Sequence, residues 1–262
     1  MRARTASRWH NQTVFQTADG AQGLDRAPGH WLRAGVIAWP ARQLPPDADP
    51  AALEWRLHWA ADDHIDPEAA EPVPWGTATL SLDPSGLPEG LASAYPHLRD
   101  HLCLRVHPDA IGLAREILRC QVVASAHRPS GRLAAAGSLQ LPGVIDELYA
   151  AAVDAELGPA WHCGTPTLRL WAPTAREVAL LLWPDGVGLH DPPLRRRMVP
   201  ADDGTWAVTG DPGWSGARYR YEVTVYTPHH RRVVVNQVTD PYSVALTVNS
   251  THSVLVDLGR PE

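Results

Sequence analysis

The 262-residue sequence predicts an all-β protein made of two modules in tandem that are joined by a short helical linker. Three observations predict this fold class. Short apolar runs alternate with polar residues at a period of two, turn sequences containing Gly and Pro separate these runs, and helical spacing is convincing in one stretch alone. Many short strands joined by frequent turns are typical of a β-sandwich or a β-barrel.

The alternation is clearest in the first half of the chain. From residue 53 to 59 the apolar residues occupy the odd positions, while Glu54, Arg56 and His58 occupy the even ones, so the two sets face opposite sides of one strand. The same period recurs at 80–82, 102–106 and 118–124. Between these runs lie the turn sequences Asp83-Pro84-Ser85-Gly86, Pro108-Asp109 and Pro129-Ser130-Gly131. We therefore expect half-buried strands connected by tight reversals.

A helical linker and a second set of strands follow. Apolar residues recur at three- and four-residue spacing over 144–157, and Gly158-Pro159 ends the pattern. Strand patterns resume at 167–171, 178–183, 205–209, 218–226, 232–238 and 253–258. In the longest of them Tyr219, Tyr221 and the two valines that follow at the same period share one side, which we expect to pack inward.

Composition and charge exclude several classes of function. The formal net charge is −6 and all 23 basic residues are Arg, so lysine nucleophiles and phosphate-binding loops that need Lys are excluded. Net acidity with scattered Arg argues against a nucleic acid or an anionic membrane as a partner, and no run of 18 apolar residues could span a bilayer. The first 21 residues lack the apolar core of a secretory signal, which predicts a cytoplasmic protein; their Arg, Ser and Thr content leaves a plastid or another organelle as the alternative.

Catalytic and metal-binding patterns are not found in the sequence. The three Cys show no CxxC spacing, and the 13 His are dispersed, so we predict neither a metal site nor a cofactor. The carboxylate pairs Asp62-Asp63 and Asp202-Asp203 are neighbours in turns, and such side chains diverge instead of facing each other across a substrate. We therefore predict no catalytic residue within this chain.

Indole side chains are the remaining indication of function, since the chain has 11 Trp but a single Phe. The flat faces of sugar rings stack on aromatic rings, so exposed Trp on a β-sandwich would form a glucan-binding surface. Trp183 and Trp214 lie at strand ends or in loops, where exposure is more expected, whereas for Trp206 beside a turn packing and glucan binding are close alternatives. For Trp171, we expect packing in the core or between the modules.

The sequence resembles two known modules in a fixed order. Residues 164–175, GTPTLRLWAPTA, and 178–182 resemble the opening strands of the family-48 carbohydrate-binding module of pullulanases and limit dextrinases. The segments 204–210, 219–226 and 238–243 are similar to that module's middle and exit segments. The first half resembles the domain that precedes this module in pullulanases, through 37–40 (IAWP), 82–88 (LDPSGLP) and 141–149 (LPGVIDELY).

This resemblance implies two immunoglobulin-like β-sandwich modules placed ahead of a glycoside hydrolase family 13 barrel that cleaves α-1,6 branch linkages. It divides the chain into a disordered leader (1–27), a pullulanase N2-type sandwich (28–142), a partly helical linker (143–162), a family-48 module (163–258) and the start of a linker to an absent catalytic barrel (259–262). No catalytic residue of the family can be transferred to this chain, which should be inactive alone.

Candidate glucan-binding residues are Trp183, Trp206, Trp214 and Tyr226. Family-48 modules that bind glucan generally use a loop Trp, a second Trp and a Lys, and Lys is absent here. The alternative for Trp206, Trp214 and Tyr226 is a scaffold role, in which the module packs on the barrel.

Two functions follow from these observations. The chain is expected to be an accessory α-glucan-binding and scaffold segment of an enzyme that debranches starch, glycogen or pullulan, with an apolar patch where the barrel docks. The alternative is a freestanding glycogen- or starch-binding protein without hydrolase activity.

Overall fold

The computed structural model describes residues 24, 26–62, 65–69 and 75–259. Most of the predicted leader (1–27) and of the predicted terminal linker (259–262) lies outside these residues. The fold is mainly β, as the alternation predicts, and consists of two modules that follow each other along the chain.

The first module is a closed barrel of seven strands, where a sandwich of two sheets was expected. Its strands are β1 (Gly29–Arg33), β2 (Val36–Trp39), β3 (Glu54–Ala60), β4 (Gly76–Asp83), β5 (Leu102–Val106), β6 (Gln121–His127) and β7 (Leu133–Gln140). They are arranged in the order β1-β2-β5-β4-β3-β6-β7, and β1 closes the barrel by pairing in parallel with β7.

Two glycines permit this closure. A Cβ on Gly29 would lie 2.7 Å from Leu139 Cδ2, and a Cβ on Gly137 would lie 2.7 Å from Pro28 Cδ. The missing side chains let β1 and β7 approach each other closely. The core inside the barrel contains Trp31, Ile37, Trp39, Trp55, Leu57 and Leu104.

Short helices replace some of the predicted turns and strand ends. They are α1 (Glu89–Ala94), α2 (Pro108–Gly112) and α3 (Ala114–Ile117), with 3-10 helices at Ala41–Gln43, Pro50–Ala52 and Pro96–Leu98. The predicted Pro108-Asp109 turn is the start of α2, where His107 Nδ1 accepts a hydrogen bond from the Asp109 amide. The predicted strand at 118–124 begins later, at Gln121, because 118–120 form the turn after α3.

The predicted linker helix is shorter than the periodicity suggested. It is divided into α4 (Pro142–Leu148) and a 3-10 helix (Ala150–Asp154). The break falls at Tyr149, whose φ of −120° and ψ of 23° are not helical.

The second module consists of two sheets that enclose one core. Its strands are β8 (Gly158–His162), β9 (Thr165–Trp171), β10 (Ala175–Trp183), β11 (Leu194–Arg197), β12 (Val199–Pro200), β13 (Thr205–Thr209), β14 (Arg218–Thr227), β15 (Arg232–Val238) and β16 (Ser253–Val254), with 3-10 helices at Pro212–Trp214 and Val248–Ser250. One sheet has the order β11-β10-β14-β15, with β16 also paired to β14, and the other has the order β12-β13-β9-β8. As predicted, Tyr219 and Tyr221 point inward and are fully buried. The last predicted strand, 253–258, ends at Val254.

The two modules are in direct contact along a seam. Trp171 at the end of β9 packs against the core of the first module, which agrees with the expected packing between modules. Arg115 donates to the backbone carbonyl of Asp202 at 2.6 Å, and Arg176 on β10 donates to that of Arg119 at 2.9 Å. Side chains therefore cross the seam in both directions.

Candidate functional site

Two of the four predicted glucan-binding residues lie in the core of the second module. Trp206 on β13 is 3% exposed and its indole N–H donates to the carbonyl of Ala172 at 3.1 Å. Trp206 is paired with Leu170 on β9, and both side chains belong to the buried core. Trp214 was expected to be exposed, but it is 7% exposed because its 3-10 helix turns the indole into the same core. Neither indole presents a free face to a sugar.

Tyr226 lies at the seam between the modules. Its position on β14 has the same alternation as Arg220, Glu222 and Thr224, so it lies on the outer side of the strand, and it is half-buried. With Leu118 and Cys120 of the first module, it lines a cavity of about 160 Å³. This position matches the scaffold alternative more closely than an open binding surface does.

Trp183 is on the outer face of the five-stranded sheet, but it too is covered. Its exposed fraction is 5%, where a higher exposure was expected. The His252 ring meets the indole edge-on at 4.7 Å between centroids, and the indole N–H donates to the carbonyl of Asp191 at 2.8 Å. Burial lowers the pKa of His252, and Arg220 and Arg218 lower it further. A neutral imidazole therefore covers the indole at neutral pH.

Arginine side chains cover the rest of this outer face. We call Arg195, Arg197, Arg218 and Arg220 the arginine face. Three of them are directly paired with buried residues of β10: Arg197 with Ala179, and Arg195 and Arg220 with Leu181.

Carboxylates partly neutralise the arginine face. Arg195 donates to Glu177 at 2.7 Å and to Glu222 at 2.9 Å. The hydrogen bond from Arg195 holds the pKa of the Glu177 carboxyl below its usual range. Arg218 is bonded to the carbonyls of Pro184 and Val187 and so anchors the loop beside Trp183. Arg220 donates through Nε to the Thr251 carbonyl. Its terminal guanidinium nitrogens and those of Arg197 could donate to sugar hydroxyls.

A buried carboxylate fixes the chain after β15. Asp240 is 4% exposed and its Oδ2 accepts from the hydroxyls of Tyr219 at 2.8 Å and Tyr221 at 3.1 Å. Its Oδ1 accepts from the Tyr242 amide at 2.8 Å, and its own amide donates to Ser253 Oγ at 2.9 Å. Burial, with the Asp240 charge, raises the pKa of both tyrosines, so they remain protonated donors.

The segment after Asp240 exposes an unusual row of apolar side chains. Every second residue from 242 to 248 is apolar and exposed: Tyr242 (46%), Val244 (61%), Leu246 (49%) and Val248 (86%). We call these four residues the apolar strip. The residues between them face the module, where the Ala245 carbonyl accepts from the Val254 amide and the Thr247 amide donates to the His252 carbonyl. This is the reverse of the usual arrangement, in which the apolar side of a segment packs inward.

The apolar strip was not predicted from the sequence. Its signal was present, because apolar and small or polar residues alternate from 242 to 248 in the sequence YSVALTV. Alternation alone cannot show which side faces the core. The side was determined by Asp240 and by the pairing of 245–247 with 252–254.

The described residues show neither a metal centre nor a membrane-spanning helix. No three His, Cys, Asp or Glu side chains within the described ranges are grouped so that they could hold a metal ion. None of the helices in that part of the chain is both long and apolar enough to cross a bilayer.

Comparison with known protein families gives two matches. The family model described as Pullulanase N2 domain matches residues 26–147, and the model described as Carbohydrate-binding module 48 (Isoamylase N-terminal domain) matches residues 156–243.

Curated relatives and solved structures agree with these matches. Over 243 residues, or 91% of this chain, the sequence is 32% identical to a pullulanase of Klebsiella pneumoniae, of which it covers 21%. Over 68% of the chain it is 30% identical to chloroplastic pullulanase 1 of Arabidopsis thaliana, of which it covers 18%. The structure of Klebsiella pneumoniae pullulanase complexed with maltotriose superposes on 89% of this chain with a TM-score of 0.77 and 28% identity, and this chain covers 21% of it. The chain thus spans about a fifth of the length of these relatives.

Proposed function

Because the chain carries a pullulanase N2 domain followed by a carbohydrate-binding module of family 48, we propose that it is the accessory segment of an α-1,6-glucan debranching enzyme. In this proposal the two modules position α-glucan and support a catalytic barrel that lies outside these 262 residues. The observation that carries the proposal is the order of the two domains, which the pullulanase relatives match across 91% of the chain. We also propose that the two sheets of the second module form an immunoglobulin-like sandwich.

The apolar strip supports the scaffold part of this proposal. Exposed apolar rows of this kind mark surfaces that another protein surface covers. The matched relatives are about four times as long as this chain, so each contains a large polypeptide portion that could cover such a strip. We propose that the catalytic barrel packs on Val244, Leu246 and Val248.

The glucan-binding part is supported by the family of the second module and by a relative that was solved with maltotriose. Among the four predicted residues, we propose that Trp183 faces glucan, after displacement of His252, with Arg220 as a hydrogen-bond donor. Trp206, Trp214 and Tyr226 would then stabilise the module, since the first two lie in its core and Tyr226 lines the seam cavity.

The first test measures glucan binding and hydrolysis with the purified chain. We expect the chain to migrate more slowly in native gels that contain glycogen or pullulan, and to release no reducing ends from pullulan. Release of reducing ends by the chain would contradict the proposal, because it would place a catalytic site within these residues. Unchanged migration would contradict the glucan-binding part.

The second test separates the accessory segment from a freestanding binding protein. The triple variant Val244→Ser, Leu246→Ser, Val248→Ser removes the centre of the apolar strip, and Val153→Ser, at a site that is 85% exposed, is the control. For an accessory segment, we expect the parent chain to self-associate in sedimentation velocity and to bind the dye ANS, and the triple variant to lose both properties. A parent chain that is monomeric and binds no ANS would instead favour the freestanding alternative.

A further inference from the structure

A groove lies at the junction of the linker and the second module. It has a volume of about 600 Å³, within the range of small-ligand sites, and domain junctions are a common place for such sites. Its walls come from α4, the 3-10 helix after it, the end of β9 and the segment after Asp240. None of the four predicted glucan-binding residues lines it.

Three aromatic rings line this groove. Trp171 is half-buried at the end of β9, Tyr149 is 4% exposed at the end of α4, and Tyr242 is 46% exposed. Tyr242 therefore offers what Trp183 does not, a ring that solvent already reaches. A sugar ring could stack on it without prior displacement of a protein side chain.

Polar groups without partners accompany the rings. Among the described residues, the Tyr149 hydroxyl and the Trp171 indole N–H are buried and have no hydrogen-bond partner. Buried polar groups in native proteins usually bind a protein group, a water or a ligand. Asp146 adds a carboxylate from α4 to the lining. Carboxylate oxygens accept hydrogen bonds from sugar hydroxyls, which the apolar side chains of a protein partner cannot donate.

The Tyr242 backbone and the Tyr149 ring are held in place before any ligand arrives. The Tyr242 amide donates to Asp240, and a Cβ on Gly158 would lie 2.8 Å from Tyr242 Cβ, so this part of the chain is packed directly on the start of β8. The Arg115 guanidinium lies 5.1 Å from the centroid of the Tyr149 ring. Such a rigid site loses little conformational entropy on binding.

We propose that this groove, lined by Tyr242, Trp171, Tyr149 and Asp146, is a subsite for a short α-linked glucan, with Tyr242 as the stacking platform. This inference rests on the proposed glucan-binding function, and it adds a contact at the module junction that is separate from the one proposed at Trp183.

The experiment is a calorimetric titration of the full chain with maltotriose, with the β-linked trisaccharide cellotriose as the ligand control. Two variants remove groove groups, Tyr242→Ala and Asp146→Ala. Their matched controls are Tyr95→Ala, on the first module, and Asp154→Ala, an exposed carboxylate in the linker that does not line the groove. Trp183→Ala tests the arginine face. Thermal melting of each variant shows whether it is folded.

We expect Tyr242→Ala and Asp146→Ala each to weaken maltotriose binding about tenfold or more, while the controls Tyr95→Ala and Asp154→Ala bind as the parent does. The indole N–H resonance of Trp171, assigned with Trp171→Phe, should shift during the titration. Binding that survives in both groove variants but is lost in Trp183→Ala would overturn this inference and leave the proposed function standing. A parent chain that binds neither maltotriose nor glycogen would overturn both.

Discussion

A buried chain of hydrogen bonds on the first module predicts that this protein loses stability in mild acid. Trp75 donates its indole N–H to His58 Nδ1, and His58 Nε2 lies 2.7 Å from Ser125 Oγ. Ser125 Oγ lies 3.0 Å from His127 Nε2, and His127 Nδ1 lies 3.5 Å from the carbonyl of Gly131. One arrangement of the protons satisfies all four hydrogen bonds. His58 Nε2–H donates to Ser125, the Ser125 hydroxyl donates to His127 Nε2, and His127 Nδ1–H donates to the Gly131 carbonyl. A proton added to His58 Nδ1 would face the indole N–H, so the network requires a neutral His58.

The size of the effect follows from the pKa of His58. Burial, with smaller contributions from His127 and Arg56, lowers this pKa from 6.5 to about 4. The unfolded chain therefore binds a proton at a higher pH than the folded chain does, and stability falls as the pH drops from about 6.5 towards 4. One pKa unit corresponds to about 1.4 kcal/mol, so this group lowers the free energy of unfolding by about 2 kcal/mol between pH 7.5 and 5, and by about 3 kcal/mol below pH 4.

Urea unfolding at pH 7.5 and pH 5, followed by circular dichroism, measures this loss. In His58→Gln the side chain at this position no longer titrates, so its loss of stability between the two pH values should be about 2 kcal/mol smaller than that of the parent. His190→Gln, in an exposed loop, should leave the loss unchanged. Equal losses in the parent and in His58→Gln would refute the reasoning, because they would show that His58 titrates alike in the folded and unfolded chains.

Two other substitutions test the seam and the buried carboxylate. Gly204 has a φ of 79°, and a Cβ there would lie 2.8 Å from Tyr149 Cδ1; Gly186 has a φ of 82° with open space around it. Gly204→Ala should lower the free energy of unfolding in urea by about 2–4 kcal/mol, because it adds both backbone strain and overpacking. Gly186→Ala adds the strain alone and should lower it by about 1 kcal/mol. Equal effects would contradict the close contact at the seam. Asp240→Asn leaves a buried donor without its acceptor, because both Asp240 oxygens accept hydrogen bonds, and it should cost about 2–4 kcal/mol by the same measurement. Asp257→Asn keeps an oxygen that can accept the one exposed bond from the Gly259 amide, so it should cost less than about 1 kcal/mol. Similar values for both would argue against the role assigned to Asp240.

The sequence predicted the second module more accurately than the first, for a physical reason. Strands 205–209 and 232–238 match the observed bounds, because a two-residue period and nearby turns determine them locally. Closure of the first module depends on the parallel pairing of β1 with β7, which are far apart in the chain, and local periodicity contains no signal for it. The alternation in β3 also fails after Leu57, because His58 is buried under Trp75 on the outer side of the barrel.

The candidate site was harder to predict, because accessibility of an aromatic ring is a tertiary property. Trp183 lies at the end of a strand, as predicted. His252, which is distant in the sequence, nevertheless covers it. Trp214 lies in a loop, as expected, but a 3-10 helix directs it inward. Tyr242, the aromatic ring that is exposed beside a groove, follows Asp240-Pro241 in a motif used only to recognise the family.

Tyr242 connects the two parts of the proposed function. It is the first residue of the apolar strip and also a wall of the junction groove, and the bond of its amide to Asp240 fixes it to the buried tyrosine pair of β14. Trp171, which also lines the groove, belongs to β9 but packs on the core of the first module, so the shape of the groove depends on both modules. Because Tyr242 belongs to both the apolar strip and the groove, a polypeptide that packs on the strip would border the groove at Tyr242. Glucan held there would lie against whatever covers the strip, which is the arrangement that the proposed accessory role predicts.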